Sequence, residues 1–384
     1  MAILHFREKT YFNILLLPFW AGLLTLPFTG IVTAALIFAG ALVIMFLWRL
    51  SKHDFVKSVH QSISVMLTKA SSSVSSLIRY ADSPLTVALL LVFLIILPFY
   101  LNDYYRDIMT LTCIYIVLAL GLNIIVGQAG LLNLGYVAFY AIGAYTYAIL
   151  STKYGLSFWP GLAVGGGMAA VFAVVLGTPT LRLRGDYFAI VTLGLGEITR
   201  IILNNWDSVT GGPNGISQVG RPVLAGYVLH TTFDFYYLIL MISIGTIFAM
   251  KRILASRIGR AWIAIREDEI AAEAMGINSF LLKLLAFVLG SAWAGVTGVF
   301  FAAKMAFVSP ESFTFFESVM ILCMVVLGGM GSISGIILGA LLLITLPEVF
   351  RDFQDYRMLA FGAALVLMMV FRPQGLLGSV RKTV

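Results

Sequence analysis

Glu197 is the acidic residue whose position most strongly suggests a chemical role. It lies about ten residues into an apolar segment that begins at Tyr187, and Arg200 follows three positions later. A carboxylate at membrane depth is costly, so we expect it to face the interior of a helix bundle, to pair with Arg200, or to line a polar path. The alternative is that its side chain reaches the outer interface, because the apolar segment ends soon after Leu203.

Residues that usually carry catalysis or bind metals are sparse. Cys113 and Cys323 both fall inside apolar segments, where we expect them to pack rather than to form disulfides or thiolate sites. The four histidines are scattered outside the apolar segments, which argues against a buried proton relay. The chain contains no GxxxxGK(S/T) loop, which excludes ATP hydrolysis by that mechanism. We therefore predict no enzymatic activity, no cofactor and no metal site.

A charged segment at 251–279, between two long apolar runs, is the clearest candidate for a contact with another protein. Its five Lys and Arg residues place it in the cytoplasm, because short cytoplasmic loops collect positive charge. Residues 268–275 are predicted to form a two-turn helix whose small, flat face suits a groove on a partner. A solvated loop is the alternative. Asp268 is the predicted cap of this helix, and Gly276 is its predicted left-handed terminator. The residues assigned to the contact are Asp268, Glu269, Ala271, Ala272 and Gly276, beside Ile270 and Ala274.

Two glycine-rich breaks interrupt the apolar segments, GQAGLLNLG at 127–135 and GGMGS at 328–332. In hydrocarbon an unwound backbone is tolerated only where protein or a water-filled path satisfies its polar groups. The breaks are therefore predicted to lie in the bundle interior and to line a path for a polar solute; the alternative is that these glycines only let helices pack. The candidate path residues are Asn123, Gly127, Gly130, Asn133, Gly328 and Gly331.

The composition establishes a membrane protein. Of the 384 residues, 60% are hydrophobic and 11% are charged, which leaves too little charge for a water-exposed surface. The length allows about ten transmembrane helices, so we predict an all-α integral membrane protein with broken or re-entrant segments and a possible internal pseudo-repeat. Its formal charge of +7 comes from Lys and Arg at the ends of apolar segments, which favours contact with lipid head groups over nucleic acid.

Three regions are predicted along the chain. Residues 1–48 form a membrane hairpin, and residues 49–83 form a cytoplasmic segment, part amphipathic helix and part linker. Residues 84–384 form the main transmembrane domain, which contains the charged segment. The distribution of Lys and Arg places both chain termini in the cytoplasm.

Several sequence blocks together resemble one family of transporters. The charged segment GRAWIAIREDEIAAEAMGIN resembles the coupling loop of ABC importer permeases, and further blocks in the same order are similar to the LivM-type permeases of branched-chain amino acid ABC transporters. The resemblance covers roughly residues 105–378 and only loosely the first hundred. Its blocks are LALGLNIIVGQAGLLNLGYVAFYAIGAY at 118–145, LRLRGDYFAIVTLGLGEITRIILNN at 181–205, TGGPNGIS at 210–217, FVSPESFTFFES at 307–318, VVLGGMGS at 325–332 and FRPQGLLG at 371–378.

This resemblance implies an ATP-driven importer that moves leucine, isoleucine and valine across a bacterial inner membrane. Its implied partners are a second homologous permease subunit, two cytoplasmic ATP-binding subunits and an external substrate-binding protein, for which the loop at 204–234 offers a surface. Alternative functions are a self-sufficient secondary transporter or channel, an ABC permease for another small solute, and a membrane enzyme. The enzyme and the secondary transporter are both disfavoured, because each needs several His, Asp or Glu residues at membrane depth and Glu197 is almost alone there.

Overall fold

The computed structural model describes residues 84–349, apart from 184 and 225, together with residues 362 and 375. The predicted hairpin at 1–48 and the predicted cytoplasmic segment at 49–83 lie outside these residues. The longer helices are α1 (Pro84–Tyr100), α2 (Asp103–Asn123), α3 (Val137–Tyr154), α4 (Phe158–Thr180), α5 (Asp186–Asn205), α7 (Thr232–Ala255), α8 (Arg257–Glu267), α10 (Ser279–Met305), α11 (Phe315–Gly328) and α12 (Ile333–Val349).

The remaining elements are short. A π-helical turn continues α2, and the short pieces on the connections include four strands of two residues each. These elements are the π-helical turn (Ile124–Gln128), α6 (Asp207–Thr210), α9 (Glu269–Ala274), the 3-10 turns (Gly212–Asn214 and Pro310–Phe313) and the strands β1 (Ile216–Ser217), β2 (Val223–Leu224), β3 (Tyr227–Val228) and β4 (Phe307–Val308).

The described part of the chain is an α-helical membrane fold, as predicted. Five of its helical segments are long and apolar enough to cross a membrane, and two shorter apolar helices accompany them. This is consistent with the prediction of about ten spans, some of which are predicted for residues outside the described part. The five segments are Asp103–Gln128, Phe158–Thr180, Thr232–Ala255, Ser279–Met305 and Pro310–Gly328.

Helix α10 is the centre of the bundle and packs against α2, α3 and α4. Small residues make these approaches possible, as the spacing of Gly290, Ala294 and Gly298 predicts. Gly295 lies so close to Gly143 of α3 that a side chain on Gly143 would overlap its backbone. Ala169 on α4 is fully buried in the same interface. The contacts are therefore made backbone to backbone, where no larger side chain fits.

The two ends of the bundle can be told apart. At one end, Lys304 near the end of α10 forms an ion pair of 2.7 Å with Asp107 in the first turns of α2. The antiparallel pairing of β1 with β4 closes the loops at that end. Helices α8 and α9 of the charged segment lie in the chain between α7 and α10. Because α10 crosses the bundle from the charged segment to Lys304, α8 and α9 lie at the other end.

The second glycine-rich break separates two helices, as predicted for a broken pair. Helices α11 and α12 fold back on one another at 329–332. A Cβ atom on Gly339 of α12 would lie 2.6 Å from the carbonyl oxygen of Met324 on α11. The apolar stretch is thus a helical hairpin with its turn at the break.

Candidate coupling and path site

Helix α9 has both of the terminal structures that its sequence predicts. The Asp268 carboxylate accepts a hydrogen bond of 3.0 Å from the amide of Ala271, which caps the helix. At the other end Gly276 has a φ of +85°, and the amide of Ile277 donates to the carbonyl of Ala272 at 3.1 Å. This is the usual way in which a left-handed glycine ends a helix.

One side of α9 is fixed to the start of α10. The carboxylate of Glu269 forms an ion pair of 2.5 Å with Lys283, and the carboxylate of Glu273 accepts a hydrogen bond from the hydroxyl of Ser279. Ala272 is only 5% exposed. One of the predicted contact residues, Glu269, therefore lies toward the protein's own α10 and positions the helix, and another, Ala272, is buried within the chain.

The opposite side of α9 is apolar and uncovered among the described residues. Ile270 is 77% exposed and Met275 is 83% exposed, and Ala271 and Ala274 beside them are also exposed. Such exposure of large apolar side chains within a charged segment marks an interaction surface. We call these four residues the exposed face of α9. Sequence reasoning missed Met275, although an apolar residue next to a left-handed glycine was a usable signal.

The two glycine-rich breaks meet in the folded chain. The side-chain oxygen of Asn123 accepts a hydrogen bond of 2.9 Å from the amide of Gly331, and the side-chain amide of Gln128 donates to the carbonyl of Gly331 at 3.2 Å. Asn123, Gly127 and Gln128 are buried. We call these four residues the break junction. The sequence interpretation left the backbone groups of Gly331 open for a solute. In the structure they are bonded to the side chains of Asn123, just before the first break, and Gln128, within it.

Arg266 connects the charged segment to the break junction. Its guanidinium donates a hydrogen bond to the carbonyl of Gly127, and its Cγ atom lies 3.1 Å from where a Cβ atom on Gly130 would stand. Arg266 is held by α8, whose fully buried Trp262 donates to the carbonyl of Leu282 at 2.7 Å. The sequence interpretation counted Arg266 only as a cytoplasmic charge and did not single out Gln128.

Two other predicted path residues lie apart from these contacts. Asn133 is fully buried and accepts a hydrogen bond of 2.9 Å from the amide of Gly135. Its side-chain nitrogen has no hydrogen-bond partner among the described residues. Gly328 packs against Gly335, and a Cβ atom there would lie 2.5 Å from the Gly335 carbonyl oxygen. Close helix packing accounts for Gly328.

Glu197 pairs with a cation, which was one of the arrangements predicted for it. Its carboxylate and the guanidinium of Arg200 form an ion pair of 2.9 Å, and each side chain is 33% exposed. The preceding residue, Gly196, lies against Gly135 in the connection that follows the break junction. The pair therefore sits beside the first break.

Residues 104–371 match the family described as branched-chain amino acid transport system / permease component. The chain belongs to this family. The match begins in α2 and includes the breaks, the charged segment and Arg266. Membership agrees with the apolar helices of the described part, and the chain is a multi-pass membrane permease.

Relatives of this permease family are similar over most of the chain. The high-affinity branched-chain amino acid transport system permease protein LivM of Escherichia coli K12 is 50% identical over 76% of this chain and 74% of its own length. LivM of Salmonella typhimurium is 49% identical over the same shares. The high-affinity branched-chain amino acid transport system permease protein LivH of E. coli K12 is 27% identical over 70% of this chain and 92% of its own length. No solved structure matches the chain.

Proposed function

We propose that this chain is the transmembrane permease subunit of an ATP-driven importer that moves leucine, isoleucine and valine into the cytoplasm. The observation that carries the proposal is the continuous connection from the exposed face of α9, through Arg266, to the break junction. A surface suited to a soluble partner is thereby joined to the place where two membrane helices are broken. This arrangement is what an energy-supplying subunit needs if it is to act on a path from outside the membrane.

The proposed partners are those of a binding-protein-dependent importer with two permeases. The exposed face of α9 binds one of two cytoplasmic subunits that hydrolyse ATP, and a second, similar permease completes the path. The similarity of this chain to both LivM and LivH supports a pair of related permeases. An external binding protein delivers the amino acid to the end of the bundle that carries β1 and β4. This chain performs no catalytic step itself.

The orientation of the chain is part of the proposal. The charged segment lies in the cytoplasm by the positive-inside rule. Gly375 supports a cytoplasmic C-terminal tail, because it packs against Gly329 at the second break, where a Cβ atom on Gly375 would lie 2.5 Å from the Gly329 amide. We propose that the N-terminus and residues 49–83 share the cytoplasmic side of the inner membrane with the tail, because this arrangement collects most of the Lys and Arg residues there. Residues 84–384 form the permease domain.

The break junction acts as the gate of the path. The amide and carbonyl of Gly331 and the carbonyl of Gly127 are bonded to Asn123, Gln128 and Arg266, and movement of α8 by a partner at α9 would release the carbonyl of Gly127. The freed carbonyl then accepts a hydrogen bond from the ammonium of a zwitterionic amino acid, whereas in the closed junction it is bonded to Arg266. This alternation requires no high-affinity pocket in the permease.

Uptake in cells tests the proposal. Cells that lack this chain should lose uptake of radiolabelled leucine at micromolar concentration and regain it when the chain is restored, with competition by isoleucine and valine but not by glutamate. Restored uptake of a different solute, with leucine unaffected, would contradict the assigned substrate class.

A further inference from the structure

Helix α5 carries a stripe with three polar residues, called the polar stripe here, that the described part of the chain covers only in part. Leu193, Glu197, Arg200 and Asn204 follow one another at spacings of four, three and four, so they share one side of the helix, and all four are half-buried. The side packed into the bundle contains Phe188, Ala189, Thr192 and Leu203, whereas Ile190, Ile198, Ile201 and Ile202 are exposed on a third side. Only this third side has the apolar composition expected of a lipid contact.

The polar stripe lies at the middle depth of the bundle. Glu197 is half-way along α5, and the neighbouring Gly196 contacts Gly135. The next residue after Gly135, Tyr136, donates a hydrogen bond of 2.9 Å to the carbonyl of Gly290 in the middle of α10. An ion pair at this depth with one third of each side chain uncovered borders either water or another subunit, because lipid would desolvate both charges.

We propose that Glu197 and Arg200 form a transient binding site for the charged end of the transported amino acid. The inference rests on the proposed function. An amino acid zwitterion carries an ammonium and a carboxylate a few ångströms apart, and the pair presents the two opposite charges at a similar separation. The carboxylate of Glu197 accepts from the substrate ammonium, and the guanidinium of Arg200 donates to the substrate carboxylate with its planar fork.

The exchange of partners explains how a path can contain two charges without trapping its substrate. In the empty path Glu197 and Arg200 neutralise each other at 2.9 Å. In the occupied path each charge has a substrate partner, so no charge is left uncompensated in either state. Asn204 offers a further polar group on the stripe, and Leu193 provides an apolar surface for the substrate side chain.

A double-mutant comparison distinguishes this site from an ion pair that only stabilises α5. The complete transporter is reconstituted in proteoliposomes with Glu197→Gln, Arg200→Gln or both substitutions, and uptake of labelled leucine is measured with the rate of ATP hydrolysis. A purely structural pair predicts impaired single variants and a double variant with near-normal uptake, since no unpaired charge then remains. The proposed site predicts that the double variant also loses uptake, by about tenfold or more, as expected for the loss of two charged hydrogen bonds.

The outcomes separate the inference from the proposed function. Wild-type transporter that takes up leucine with ATP upholds the proposed function, and near-normal uptake by the double variant would then overturn the zwitterion site alone. Asp103→Asn is the matched control, because it removes a charge from another ion pair of i,i+3 spacing, that with Arg106 at the outer end of the bundle, where the Asp103 side chain is 80% exposed. This control should leave the uptake per ATP hydrolysed unchanged.

Thiol labelling tests the location of the site even if the double variant fails to assemble. In a background without Cys113 and Cys323, a cysteine at Leu193 lies on the polar stripe and a cysteine at Ile198 lies on the apolar side of the same helix. We expect a charged thiol reagent to modify the first and not the second, and leucine under transport conditions to slow that modification. Equal reactivity, or no protection by leucine, would overturn the proposal.

Discussion

Replacing Arg266 with alanine should weaken the coupling between ATP hydrolysis and transport. The substitution removes the donor that the carbonyl of Gly127 uses at the buried break junction. Leaving a buried carbonyl without a partner costs about 1 to 3 kcal/mol, which corresponds to a roughly 5- to 150-fold change in the equilibrium between two states. Because the Arg266 side chain is itself exposed in part, the lower half of this range applies.

The assay is the number of leucine molecules taken up per ATP hydrolysed by the reconstituted transporter. We expect this ratio to fall about fivefold or more in Arg266→Ala, with the ATP-hydrolysing subunits still co-purifying because the exposed face of α9 is intact. Arg266→Lys keeps the charge and one donor, so it should retain most of the coupling.

Arg260→Ala is the matched control for Arg266→Ala. Arg260 lies on the same helix, but its guanidinium bonds to the carbonyl of Ala255 at an exposed site. The control should behave like the wild type. If Arg266→Ala keeps a wild-type ratio of uptake to hydrolysis, the contact with Gly127 does not transmit motion and the reasoning is refuted.

Three further predictions concern the docking surface, the break junction and the topology. Ile270→Asp or Met275→Asp should reduce co-purification of the ATP-hydrolysing subunits about tenfold, since each removes a large apolar contact. Tyr154→Asp, at an equally exposed position on α3, should leave it normal, and unchanged co-purification of the first two variants would place the partner elsewhere. Gly127→Ala should lower uptake about fivefold, because its Cβ atom would lie 2.7 Å from the Gly331 amide and displace Asn123. Gly167→Ala, whose Cβ atom would meet no atom within 4 Å, should leave uptake normal. Equal uptake by the two variants would show that the junction tolerates disruption. Single cysteines at Ser72 and Ser379 should react only from the cytoplasmic side and one at Ser217 only from outside, and the reverse pattern for any of them would refute the proposed orientation.

The helices of the described part were largely predictable because their signals are local. Apolar runs and the glycines between them predicted a helical membrane protein and the interruption at 328–332 that separates α11 from α12. The ends of α9 were equally clear, since a cap such as Asp268 and a terminator such as Gly276 act on residues within one helical turn. These features require no knowledge of distant contacts.

The break junction could not be predicted from the same signals. Asn123 and Gly331 are 208 positions apart, and Arg266 and Gly127 are 139 positions apart. Their hydrogen bonds depend on how α2, α8 and the α11–α12 hairpin pack, which hydropathy does not specify. The same limit explains why Glu269 was assigned to a partner contact, although its partner Lys283 lies in the same chain.

The most direct test of the importer function is to identify the energy source that drives leucine accumulation. Proteoliposomes would contain this chain, a second permease of the family and the ATP-hydrolysing subunits, with binding protein and labelled leucine on the side of β1 and β4, and with ionophores to remove ion gradients. We expect leucine to accumulate only when ATP is present on the side of α9, and accumulation to stop when this chain is omitted. Accumulation by this chain alone, driven by an ion gradient without ATP, would contradict the importer function.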